Sequence, residues 1–113
     1  MSILLYQLKD SKAYYEKHKT SSMMYGMDKF NGTTVLECMK SGEYQLVAEL
    51  ECDTLDEAFE MGNIGPEDKI KRHAPMHSVS VGDVLTMDGD ENVYVVASFG
   101  FDNLGRRLEE TAV

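Results

Sequence analysis

The chain has 113 residues, with 20 acidic and 11 basic side chains and a net charge of −9. That length suits one domain with one modest core, and no run approaches the ~18 apolar residues of a membrane-spanning helix. The acidic balance argues against direct nucleic-acid binding, which rewards Lys and Arg on phosphates, and permits docking on a basic partner.

Ile3 to Leu8 reads as a first strand. Asp10 and Ser11 offer capping oxygens for a short helix from Ala13 to His18. Thr20-Ser21-Ser22 is a second capping cluster, and Met23, Met27 and Phe30 follow at i, i+4 and i+7, the apolar stripe of a second short helix. Gly26 weakens that helix. Asn31-Gly32 is expected to end it, since both residues tolerate left-handed backbone.

Ser41-Gly42 marks a turn. Tyr44, Leu46, Ala48, Leu50 and Cys52 then alternate with Gln45, Val47, Glu49 and Glu51, so a strand with one face on a core is predicted. Thr54-Leu55-Asp56-Glu57 is a capping box. Its acids suit the positive end of the helix dipole. Leu55, Ala58 and Phe59 are the expected buried face, with Met61 beside them. Gly62-Asn63 is the expected stop, reinforced by Gly65-Pro66.

Pro66 to Pro75 reads as a polar connection with a basic centre at Lys69, Lys71 and Arg72. Val84 to Met87 and Val93 to Ala97 are predicted strands, joined by the Gly/Asp-rich loop Asp88 to Asn92. Gly100, between Phe99 and Phe101, suggests a bend or bulge. From Gly105 onward the chain is polar, and short helix or disorder is expected. Cys38 and Cys52 sit among apolar residues, where cysteine acts as a small hydrophobe, and reduced thiols are expected.

Taken in order, several short runs resemble the YodL-like domain family. They are Tyr6-Gln7-Leu8-Lys9, Tyr44-Gln45-Leu46-Val47, Thr54 to Phe59, Asn63, His77 to Val84, and Ser98-Phe99-Gly100-Phe101. The resemblance covers about residues 4–104. It departs at the polar insert Ser11 to Ser22 and at Ala97, where an acid is frequent. It implies an accessory protein of a phage or mobile element, with no established activity, cofactor or catalytic residues. The expected location is then the cytoplasm of the host cell. An N-terminus without a basic lead or a small-residue cleavage site agrees with that expectation.

Four groups of residues invite a chemical reading. His77 and Ser78 resemble a base and a nucleophile, but neighbours on an extended chain point to opposite faces. His73 and His77 have the spacing of helical zinc ligands, but Pro75 between them disfavours a helix. Asp88, Asp90 and Glu91 are only a fragment of a calcium loop, so a solvated hairpin tip is expected. Met23, Met27 and Phe30 are expected in the core, and if exposed they become a site for an apolar partner.

The acidic stretch from Glu43 to Asp68 includes Glu49, Glu51, Asp56 and Glu60. It reads as the solvated face of a strand and a helix. Its functional reading is a phosphate-like surface for the basic groove of a DNA-binding enzyme.

The expected fold is α+β: an antiparallel sheet of four to five strands, two to three short helices on one face, and the Val84–Phe101 hairpin at the centre. Residues 1–104 form the single domain and 105–113 a polar tail. The expected function is a non-catalytic module binding a host or viral protein through Glu49, Glu51, Asp56, Glu60, Met23, Met27 and Phe30. No cofactor or metal is expected. The alternatives are a ligand pocket or enzyme site at His77, Ser78 and Asp83, and an acidic DNA mimic.

Overall fold

Alternation in the first strand sets the architecture. The computed structural model describes residues 2–27 and 30–106. In it, β1 (Ser2–Leu8) sends Ile3 and Leu5 into one cluster of buried residues and Tyr6 and Leu8 against another. Both sets are apolar, so both faces of the strand must be covered.

The other strands are β2 (Tyr44–Glu51), β3 (Ile70–Arg72), β4 (Val84–Met87), β5 (Asn92–Val96) and β6 (Phe101–Arg106). They form one six-stranded sheet in the order β3-β2-β1-β4-β5-β6, with every neighbouring pair antiparallel. The α1 (Ser11–His18) and α2 (Gly32–Ser41) helices cover the Tyr6 face, where Tyr14, Val35 and Cys38 meet Phe30, Val84, Val93 and Val95. On the Ile3 face, Ala58 and Met61 of α3 (Leu55–Ile64) pack with Leu50, Leu85 and Val96. Each fully buried Leu or Ile contributes about 1.5–3 kcal/mol relative to an exposed one.

The α+β class and the three short helices match the sequence reading. The sheet has six strands rather than four or five, and the helices lie on both faces rather than one. The additional strands are at the edges. β3 lies inside the expected polar connection, because Ile70-Lys71-Arg72 has too few residues to show a period. β6 is masked by Asp102, Asn103 and Gly105, all poor strand formers. It also carries Gly105 and Arg106 beyond the expected tail boundary, and residues 107–113 lie outside the described residues. The middle of the sheet is β1 with β4, so the β4–β5 hairpin is off centre.

The β2 strand does not keep one face inward along its whole length. Leu5 pairs with Ala48 but Tyr6 pairs with Leu46, so Val47 is an extra residue, a β-bulge. Val47 and Ala48 are both buried in the α3 cluster, whereas Tyr44 belongs to the opposite one. The carbonyl of Val47 accepts from the backbone N–H of His73 at 2.8 Å, which ties the end of β3 to the bulge.

The expected helix over Met23 to Phe30 is replaced by a single 3₁₀ turn, Ser22–Met24. Gly26 takes a φ of 87°, and its N–H donates to the Phe30 carbonyl. Asn31 starts a helix rather than ending one: its Oδ1 accepts from the Thr34 N–H at 3.1 Å, and α2 follows. Val35, Cys38 and Met39 carry the i, i+3, i+4 signal of that helix, with Gly42 as its left-handed cap.

The Thr54–Glu57 capping box forms as expected. α3 runs past Gly62-Asn63 to Ile64. Gly62 sits mid-helix because a side chain there would collide with Val79. Phe59 is on the exposed side, not buried. Both cysteines are free thiols and both are buried. No helix among the described residues is long and apolar enough to cross a membrane.

Candidate functional site

The His77–Asp83 segment folds against β1 through one buried glutamine. Gln7 Nε2 donates to the His77 carbonyl at 3.0 Å and to Asp83 Oδ2 at 2.9 Å, and Gln7 Oε1 accepts from the His77 N–H at 3.2 Å. Asp83 Oδ2 also accepts from the Ser80 N–H at 2.9 Å. His77 Nδ1 lies 2.7 Å from the Ser78 carbonyl, which can only accept, so Nδ1 carries the proton. The two hydrogens of Gln7 Nε2 are then used by the His77 carbonyl and Asp83. Burial pushes the Asp83 carboxyl up to about 6, against the opposing pull of the Ser80 and Gln7 hydrogen bonds and the His77 charge.

That arrangement is a latch between β1 and the approach to β4. Asp83 is buried, while His77 and Ser78 are exposed, and the Ser78 carbonyl accepts from the His77 ring and from the Ser80 hydroxyl. The cavities at Glu49, Tyr14, Met27 and Phe59 include none of the three candidate ligand residues: Asp83 is buried in the fold, and the His77 ring lies back on its own chain. Beside the latch, Tyr44 donates to the Gly82 carbonyl at 2.6 Å. Gly82 has a φ of 90°, and a side chain there would meet the Ser22 carbonyl oxygen at 1.8 Å. This close approach seats the 3₁₀ turn.

The acidic candidates divide between two surfaces. Glu49 and Glu51 alternate with Ala48 and Leu50 on β2, and so face away from α3. They line a 190 Å³ surface cavity with Lys69, Lys71 and Asp68. Glu49 also pairs with His73 Nε2 at 2.6 Å. Asp56 and Glu60 are exposed on α3, on the other side of the sheet. Neighbouring cations and a split location leave no continuous acidic stripe of these four residues.

The apolar candidates divide differently. Phe30 is fully buried, while Met23 is 68% and Met27 63% exposed. Phe99, not singled out as a contact residue in the sequence, is 95% exposed at the tip of the β5–β6 turn. The signal for it was Ser98-Phe99-Gly100, a large aromatic in a tight turn, where a core residue has no neighbours to pack on.

Met27 and Phe99 line one groove of 300 Å³ together with Tyr25, Ala97 and Asp102. Its floor is held by the Tyr25 hydroxyl, which donates to Asp102 Oδ2 at 2.7 Å. Burial first, and then that carboxylate, push Tyr25 up to about 12, so the phenol keeps its proton. A second groove of 230 Å³ lies on the other face of the same turn, lined by Asp56, Phe59, Val96 and Phe101. Phe59 meets Phe101 edge-on at 6.5 Å.

Among the described residues no cluster of three His, Cys, Asp or Glu side chains has metal-binding geometry. The chain matches no family model, no curated protein and no solved structure, so its YodL-like resemblance rests on residue order alone.

Proposed function

We propose that the chain is a non-catalytic protein-interaction module, an accessory protein that binds a host or viral protein through the apolar surface at the β5–β6 turn. The observation that carries this reading is the exposure of Phe99 beside Met27 across one groove. Aromatic and methionine side chains are the usual anchors of interfaces, and leaving them in water has a free-energy cost that a partner removes. Met23 and Met24 on the preceding 3₁₀ turn extend the apolar surface. The placement of His77 and Asp83 in a latch accounts for both residues without a reaction.

The test is affinity capture on the immobilised chain, followed by purification and titration of the captured protein. Phe99→Asp and Met27→Lys are expected to weaken that binding at least about tenfold, as interface anchors do. Their thermal unfolding should match the wild type, because neither side chain is buried. Wild-type affinity in both variants would overturn the reading.

A further inference from the structure

The β6 strand is one of the two edge strands of the sheet. Val96 of β5 directs its backbone away from β6: its N–H donates to the Asp83 carbonyl at 2.9 Å and its carbonyl accepts from Gly82 at 2.8 Å. Val96 is the register partner of Phe101, so this is a pair without mutual hydrogen bonds. The N–H and C=O of Phe101 therefore point outward from the sheet. Tyr94 and Asn103, two residues along, repeat that geometry. Among the described residues these outward groups have no partner.

Side chains of β6 alternate between the two grooves already described. Phe101 borders the Phe59 groove and Asp102 borders the Tyr25 groove. Among the described residues, each groove is mainly apolar, and each carries one carboxylate, Asp56 or Asp102, and no Lys or Arg. We infer that β6 binds an extended segment of a partner protein by strand addition, and that this segment alternates apolar side chains with Lys or Arg interspersed.

The backbone of such a segment completes the ladder at Phe101 and Asn103. Its side chains enter the two grooves by turns. Its positive charges face Asp56 and Asp102. A second copy of this chain is the poorer occupant, because each copy carries −9. The inference rests on the interaction reading and specifies its mode.

The experiment selects a displayed library of random short peptides on the full chain, then titrates synthetic versions of those enriched. Alternating apolar and basic peptides are expected, and the amides of Phe101 and Asn103 should gain hydrogen-exchange protection when they bind. Asn103→Pro removes an outward N–H at an edge position where proline is tolerated, and should weaken binding at least about tenfold. Exchange protection in the wild type decides the matter if that variant does not fold.

Enriched peptides with helical spacing, unaffected by Asn103→Pro but lost in Phe99→Asp, overturn strand addition and leave the interaction reading intact. Binding that survives both variants overturns both. Failure to enrich any peptide overturns strand addition. Self-association abolished by Asn103→Pro also overturns it, by placing a second copy on the edge.

Discussion

The β3 and β6 strands close the same sheet at opposite ends, and they treat an open edge in different ways. β3 is three residues long and carries Lys71 and Arg72. Arg72 forms a two-point ion pair with Glu67, and Glu49 holds His73 just beyond the strand. Short length and charge are standard means of keeping an edge from pairing with another chain. β6 is six residues long, has an aromatic start, and is bordered by apolar grooves on both faces. A small domain that blunts one edge and leaves the other receptive has a direction built into its sheet.

The largest expected effect removes the support of the receptive side. Gly82→Ala forces a side chain against Ser22 at a left-handed φ, and should cost about 2–4 kcal/mol in denaturant unfolding. Binding at the Met27–Phe99 groove should fall with it, since the displaced 3₁₀ turn leads into that groove. An unchanged unfolding midpoint would show that the contact is not restrictive.

Next in size is the latch between the two ends. Asp83 titrates at about 6 in the fold against an ordinary value of 3.8, so the folded chain holds this proton more tightly than the unfolded one. Its contribution is complete below pH ~4 and is lost as pH rises through about 6. Each tenfold gain in proton affinity is worth ~1.4 kcal/mol, so ionising the buried Asp83 costs the fold roughly 3 kcal/mol relative to keeping it protonated. Asp83→Asn keeps an oxygen acceptor for Gln7 and Ser80 and cannot ionise. The stability of wild type relative to this variant should therefore decline by roughly that amount between about pH 4 and about pH 7 in urea titrations. Parallel curves would exclude a buried, proton-holding Asp83. Peptide affinity at β6 should be the same in both proteins at fixed pH.

The smallest effect tests the blunted edge. Replacing Lys71 and Arg72 together by Val removes its charges and raises its strand propensity. Concentration-dependent self-association, followed by analytical ultracentrifugation, is expected to increase. If it does not, shortness alone protects β3 and the charges are incidental.

Reading along the chain recovered the elements whose signals lie within a turn or two of one another. The Thr54–Glu57 box predicted the start of α3, and Asp10 predicted the start of α1, where its carboxylate accepts from the Ala13 N–H at 3.0 Å. The period-two run predicted β2, the apolar run Ile3 to Leu8 predicted β1, and the apolar runs on either side of the Asp88–Asn92 loop predicted β4 and β5. Reading failed where one residue type has two meanings. Asn31-Gly32 reads as well for a helix end as for a helix start, and only the packing of Val35 and Cys38 in the core selects the start. Met23, Met27 and Phe30 have helical spacing, but the turn at Gly26 separates a buried Phe30 from two exposed methionines.

The sequence by itself determined the α+β class, the acidic charge and the capped helix starts, because each depends on composition or on residues a few positions apart. It also placed Cys38 and Cys52 as thiols, and both are free and buried. Tertiary structure alone decided the rest. The bulge at Val47 divides β2 between two cores, and it exists only in register with β1. Gln7 reaches Asp83 across 76 positions, and Tyr25 reaches Asp102 across 77. No local pattern encodes such distant partners, nor which edge of a sheet stays open, because strand order is settled by the joint burial of two apolar faces.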